Sequence, residues 1–179
     1  MARTRAREIM GQNFFGIEEA IGHFGVNPSE RQVSSLATVP WSEETLYACR
    51  GSHVLVAVFR MSIFDIRCLH RNLFRNQEWF PDVKFTTDKG EVGWWLVCKT
   101  PRRLRREVEE IPKAQVMAYT MIGNFLVTGE RLFEGNFIRC SDSSEDDNVV
   151  IGFFPELIVD LCDPKTDKAK YGISAALKR

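Results

Sequence analysis

The chain has 179 residues, with 24 basic and 24 acidic side chains, zero formal net charge and 44% hydrophobic residues. That length suits one domain, and a folded chain of this size buries about 70% of the surface its unfolded form exposes, with no metal or disulfide staple required. The balance excludes a disordered or low-complexity chain and a wholesale basic coat for nucleic acid. The longest clear apolar run, Val54 to Phe59, falls well short of the roughly 18 residues of a membrane span. The start, Met1 to Arg7, has no apolar stretch behind it, so a secretory signal is not expected.

In chain order, the first predicted helix is Ile17 to Phe24, with Glu18 and Glu19 at its positive end and Gly25 as its stop. A second short helix is expected from Ser29 to about Leu36. A third follows the N-cap Ser42 and ends at Arg50 before Gly51. His53 to Phe59 is β-branched and apolar on both faces, which reads as a central strand. Ser62 and Asp65 make a capping box for a helix running to about Asn76, with Ile63, Ile66, Leu69 and Leu73 on one face. Trp79-Phe80-Pro81 breaks regular structure, Lys89-Gly90-Glu91 is a turn, and Trp94 to Lys99 a strand.

Arg102 to Glu110 is charged nearly all round and reads as a solvated helix or loop. Lys113 to Thr128 is apolar on most sides, the mark of a buried helix. Asn136 to Cys140 and Val149 to Phe154 flank a polar run and read as a β-hairpin, with Leu157 to Leu161 as one more strand. Ile173, Ala175, Ala176 and Leu177 give the polar tail something to dock. Strands mixed irregularly with helices imply an α+β fold, with a mixed or mainly antiparallel sheet packed against several helices. One domain is expected over 1–179, with 1–10 and 163–179 as candidate flexible ends.

The segments Asn13-Phe14-Phe15-Gly16-Ile17-Glu18-Glu19-Ala20, Pro40-Trp41-Ser42-Glu43-Glu44-Thr45-Leu46 and Gly93-Trp94-Trp95-Leu96-Val97-Cys98-Lys99-Thr100-Pro101 resemble a family of uncharacterised bacterial proteins. Thr128 to Phe133 and Gly172 to Ala176 are similar too. The resemblance implies one domain over the whole chain and carries no catalytic residue with it. Where that family is expected to have a polar Pro/Ser/Thr stretch after Pro101, this chain has Arg102-Arg103-Leu104-Arg105-Arg106.

Five cysteines at irregular spacing, with no CxxC, imply free thiols and a reducing cytoplasm, and a bacterial or phage source suits them. Cys49, His53, Cys68 and His70 have the residue types of a zinc site. Cys68 and His70 lie about 200° apart around the predicted helix, however, and cannot share a metal there. Cys49 beside Arg50 is the one candidate for a cysteine-dependent hydrolase or transferase. Asp142 to Asp147 reads as a solvated hairpin tip rather than a calcium loop. Nucleotide-binding glycine motifs and a nucleophile elbow are absent from the sequence.

Two basic features remain. Arg67, Arg71 and Arg75 follow i, i+4, i+8 spacing and form one stripe on the predicted helix. Arg102, Arg103, Arg105 and Arg106 make a second cluster. With Trp79 and Trp94 nearby in sequence, these residues are the candidate binding surface, because arginine beside aromatic rings anchors both protein partners and phosphates. Trp94 and Trp95 point to opposite faces of a strand, so at least one is expected in the core. Binding of a protein partner or small ligand is therefore expected ahead of catalysis, with nucleic-acid binding as the alternative. No cofactor, metal or membrane is implied, and self-association is compatible with the same surface.

Overall fold

The computed structural model describes residues 1–76, 83–101, 110–144, 147–163, 172–173 and 176–178. It is a single-domain α+β fold with two four-stranded sheets. The first sheet has the order β1 (Phe14–Phe15), β2 (His53–Val58), β3 (Gly93–Cys98) and β8 (Ala176–Lys178); β1 runs parallel to β2 and the other pairs are antiparallel. The second has β6 (Leu157–Cys162), β5 (Asp147–Phe153), β4 (Ile138–Ser144) and β7 (Gly172–Ile173), with β7 parallel to β4 and the rest antiparallel.

The long helix α7 (Ala114–Thr128) packs against strands of both sheets and against α2 (Ile17–Phe24) and α5 (Ile63–Leu69). Every residue from Ala114 to Asn124 is buried, which explains why its sequence shows no polar face. Gly123 lets this helix approach β1: a Cβ there would lie 2.9 Å from the Phe15 ring. One continuous core joins α7 to both sheets. β2 is buried along its whole length between β1 and β3, as its two-sided apolar character requires. The hairpin of β4 and β5 is present, with a register shift between Arg139 and Ser143. Among the described residues, no helix is long and apolar enough to cross a membrane.

The chain starts with a helix that its sequence hides. α1 (Arg3–Met10) buries Ala6, Ile9 and Met10. Its arginines bind acids on α1 itself and on other helices. Arg5 pairs with Glu8 and Glu43, and Arg7 pairs with Glu18 and Glu19 while its guanidinium stacks 4.5 Å from the centre of the Phe14 ring. Burial pushes the Glu19 carboxyl up, but Arg7 and the Gly16 amide outweigh it and hold it below its ordinary value.

The helix after Ser62 starts as its capping box requires, with the Asp65 amide donating to Ser62 Oγ at 3.0 Å and the Ser62 amide donating to Asp65 Oδ2 at 2.9 Å. It stops at Leu69 and does not run to Asn76. His70 leaves the helical region at φ −127° and ψ 46°, and Arg71–Leu73 forms a single 3₁₀ turn. Two long-range contacts account for the break. His70 Nε2–H donates to the His23 carbonyl at 2.9 Å, and the Arg75 amide donates to the Leu157 carbonyl at 3.0 Å, drawing buried Phe74 into a bridge with β6. Leu69, placed on the apolar face by its spacing, is 53% exposed.

Candidate functional site

A cavity of about 700 Å³ opens where α7 begins. Its walls are the turn from Asp88 to Gly93, the first turn of α7 with Lys113 ahead of it, Trp95 of β3, Glu110 and Arg60. The turn is fixed by charge. Lys113 Nζ lies 2.7 Å from Asp88 Oδ2, while Asp88 Oδ1 accepts the Gly90 amide at 2.9 Å. Lys113 and the Gly90 amide together hold the Asp88 carboxyl below its ordinary value, and Asp88 raises Lys113 in return.

The opposite wall is set by the hairpin. Asp142 Oδ2 accepts the Ala114 amide at 2.5 Å, so a side chain from β4 caps α7 in place of the N-cap residue Lys113. Burial pushes the Asp142 carboxyl up; the Ala114 amide and Lys113 offset only part of that.

Gln115 sits between these two walls. It is 1% exposed and borders the cavity, and among the described residues neither Oε1 nor Nε2 has a hydrogen-bond partner. Leaving a buried polar group unpaired costs about 1–3 kcal/mol, so this amide is expensive to keep. Gly90 stands directly against it: a Cβ at that position would lie 2.6 Å from Gln115 Oε1. At the rim, Arg60 is exposed and makes no ion pair among the described residues. Arg60 also lines a smaller cavity of about 260 Å³ beside Phe24, Phe59 and Asp65. Among the described residues the larger cavity combines an aromatic wall with charges of both signs, a set suited to holding a polar molecule.

The residues singled out by sequence fall elsewhere. Arg67 is half-buried on α5, Arg71 lies in the 3₁₀ turn and Arg75 follows it, so the three do not form one helical stripe. Burial and the neighbouring Arg71 charge depress Arg67, while Arg71 and Arg75 are exposed. Trp94 is a core residue at 2% exposure, packed on Phe14, and its indole N–H donates to the Leu36 carbonyl at 3.3 Å. Both faces of the first sheet are covered, so Trp95 is buried as well, but it is Trp95 that borders the cavity. Trp79, Arg102, Arg103, Arg105 and Arg106 lie outside the described residues.

Cys49 is half-buried at the end of α4 (Glu43–Cys49), and Cys68 is exposed. His53 is buried in β2 opposite Cys98, with Nδ1 2.8 Å from Ser52 Oγ. Among the described residues, no three His, Cys, Asp or Glu side chains converge as a metal site. The candidate binding residues read from the sequence do not include Arg60, Gly90, Trp95 or Gln115. The available signal was Gln115 itself, a polar amide in the buried first turn of a helix that also buries Thr120 and Asn124. Comparison of the chain with family models, curated proteins and solved structures gave no match.

Proposed function

We propose that the protein is a non-catalytic ligand-binding module and that its site is the cavity at the start of α7. The observation that carries this reading is the cavity itself, about 700 Å³ and bounded among the described residues by Trp95 and by charged groups of both signs. The volume falls within the roughly 300–1,000 Å³ range of small-molecule sites. The test is a panel of small polar compounds scored by thermal unfolding of the wild type and of Gln115→Met. Compounds that raise the wild-type midpoint should lose that effect in the variant; stabilisation unchanged in the variant places the site elsewhere.

A second reading is nucleic-acid binding through the 67–75 segment. It is favoured by Arg71 and Arg75, which are exposed and make no ion pair among the described residues. Binding of mixed-sequence DNA or RNA should then weaken steeply with salt, and Arg71→Ala with Arg75→Ala should flatten that dependence. Affinity that is the same at low and moderate salt rules this reading out.

A further inference from the structure

We infer that β8 is a strap on the cavity: its pairing with β3 keeps the Glu110–Ile111 wall in place, and its release opens the cavity from that side. The inference concerns access to the cavity, whatever molecule fills it. β8 lies between two of the cavity's walls. On one side it pairs with β3, with Lys178 opposite Trp95, Leu177 opposite Leu96 and Ala176 opposite Val97. On the other side it holds Glu110: the Glu110 amide donates to the Ala176 carbonyl at 2.8 Å, and the Ala176 amide donates to the Glu110 carbonyl at 2.9 Å. Trp95 lines the cavity from β3, while Glu110 and Ile111 line it from beyond β8.

The wall has a second attachment, on the other sheet. The Ser141 amide of β4 donates to the Pro112 carbonyl at 3.0 Å, and Asp142 caps α7 at the Ala114 amide. Residues 110–114 are therefore slung between β8 at one end and β4 at the other. The two supports differ in strength. β4 and β5 are seven residues each, pair with one another and join the core through Ile138, Cys140, Val149 and Ile151. β8 has three residues, with Ala176 buried and Leu177 half-buried, and β7 before it pairs with β4 over two.

A strand this short breaks few hydrogen bonds when it leaves, so it belongs to the part of the fold that opens most readily. When β8 leaves β3, Glu110 no longer has a support that ties it to the Trp95 wall, and the segment keeps its hold on β4. The coupling is reciprocal: a molecule packed against both Trp95 and the Glu110–Ile111 wall favours the docked strand, and anything that takes β8 away loosens that molecule.

The test compares the full chain with Ala176→Pro, which has no N–H to donate to Glu110. Hydrogen exchange of the Glu110 amide reports the bridge, and line broadening by the neutral nitroxide TEMPOL at the amides of Val92, Gly93 and Trp95 reports access to the cavity. In the variant the Glu110 amide should exchange about tenfold faster. TEMPOL should broaden the three cavity signals more strongly than in the wild type, while the β2 amides keep their protection. Faster exchange at Glu110 with unchanged broadening in the cavity overturns the strap and leaves β8 as an edge strand.

Should Ala176→Pro not fold, the wild type in sub-denaturing urea decides. Exchange at Glu110 and Ala176 and broadening in the cavity should then rise together while β2 stays protected; broadening that rises only when β2 exchanges overturns the inference. Neither failure touches the cavity as a binding site, which stands or falls on the compound panel.

Discussion

Gly90 and Gln115 face each other so closely that a methyl group on the glycine would come within 2.6 Å of Gln115 Oε1. Gly90 is also held at φ +62°, a conformation other residues adopt only with strain. Gly90→Ala should therefore cost about 1–2 kcal/mol through the backbone alone and push the Gln115 amide from its place. Urea unfolding measures the first effect and the Gln115 side-chain signals the second. An alanine variant with wild-type stability and unmoved signals contradicts the packing described.

Gln115→Met separates stability from binding. Removing two buried, unpaired polar atoms while keeping the side-chain volume should stabilise the protein by about 1–3 kcal/mol. A residue that weakens the fold and serves a ligand has this signature. A variant less stable than the wild type would mean that the amide already has its partners.

Asp142 links the hairpin to α7, and Asp142→Ala should cost about 1 kcal/mol through the lost cap. Its pH dependence has a definite sign. Because burial raises its carboxyl above the ordinary value of 3.8 despite the Ala114 amide and Lys113, the folded chain holds this proton more tightly than the unfolded chain. The linked stabilisation is fully present below the ordinary carboxylate range and is lost as pH rises through the folded value. Asp142→Asn can still accept the Ala114 N–H but cannot ionise, so stability curves of the two proteins should diverge across that window and run parallel above it. Parallel curves throughout contradict the assignment.

His70 behaves in the opposite sense. Burial lowers it below 6.5, outweighing the hydrogen bond to the His23 carbonyl, and the nearby His23 adds to the lowering. Its contribution is complete above pH 6.5 and declines as pH falls through the folded value. His70→Gln, which retains a donor for the His23 carbonyl, should remove that part of the acid-side loss. Unfolding midpoints measured from neutral pH downward test it, and identical slopes for variant and wild type contradict it.

Much of the fold was legible because its signals are local. Gly16 and Gly25 bracket α2, Ser62 and Asp65 start α5, and the two-sided apolar run at His53 makes a central strand. What failed depended on distant partners. Nothing near Leu69 announces that His70 will reach His23 and that Phe74 will be drawn to Leu157, so local spacing carries the helix past Leu69 and aligns three arginines that the structure separates. The alternating arginines of Arg3 to Arg7 conceal a packed face, and the acids that pair with Arg5 and Arg7 from elsewhere lie on α4 and α2. The site was harder still. Trp94 and Trp95 are equivalent by alternation, and only the coverage of both sheet faces shows which borders the cavity. Gly90 and Gln115 lie in separate elements, and their pairing exists only in three dimensions.

The most direct measurement is to map which backbone and side-chain signals move when the compound found to bind most tightly is titrated into the isotope-labelled protein. The largest shifts are expected at Gly90 to Gly93, Lys113 to Val116 and the Gln115 side chain, with Arg60 at the margin. Largest shifts confined to Arg67 through Arg75, with the start of α7 unchanged, would contradict the cavity as the site and return the function to the basic surface.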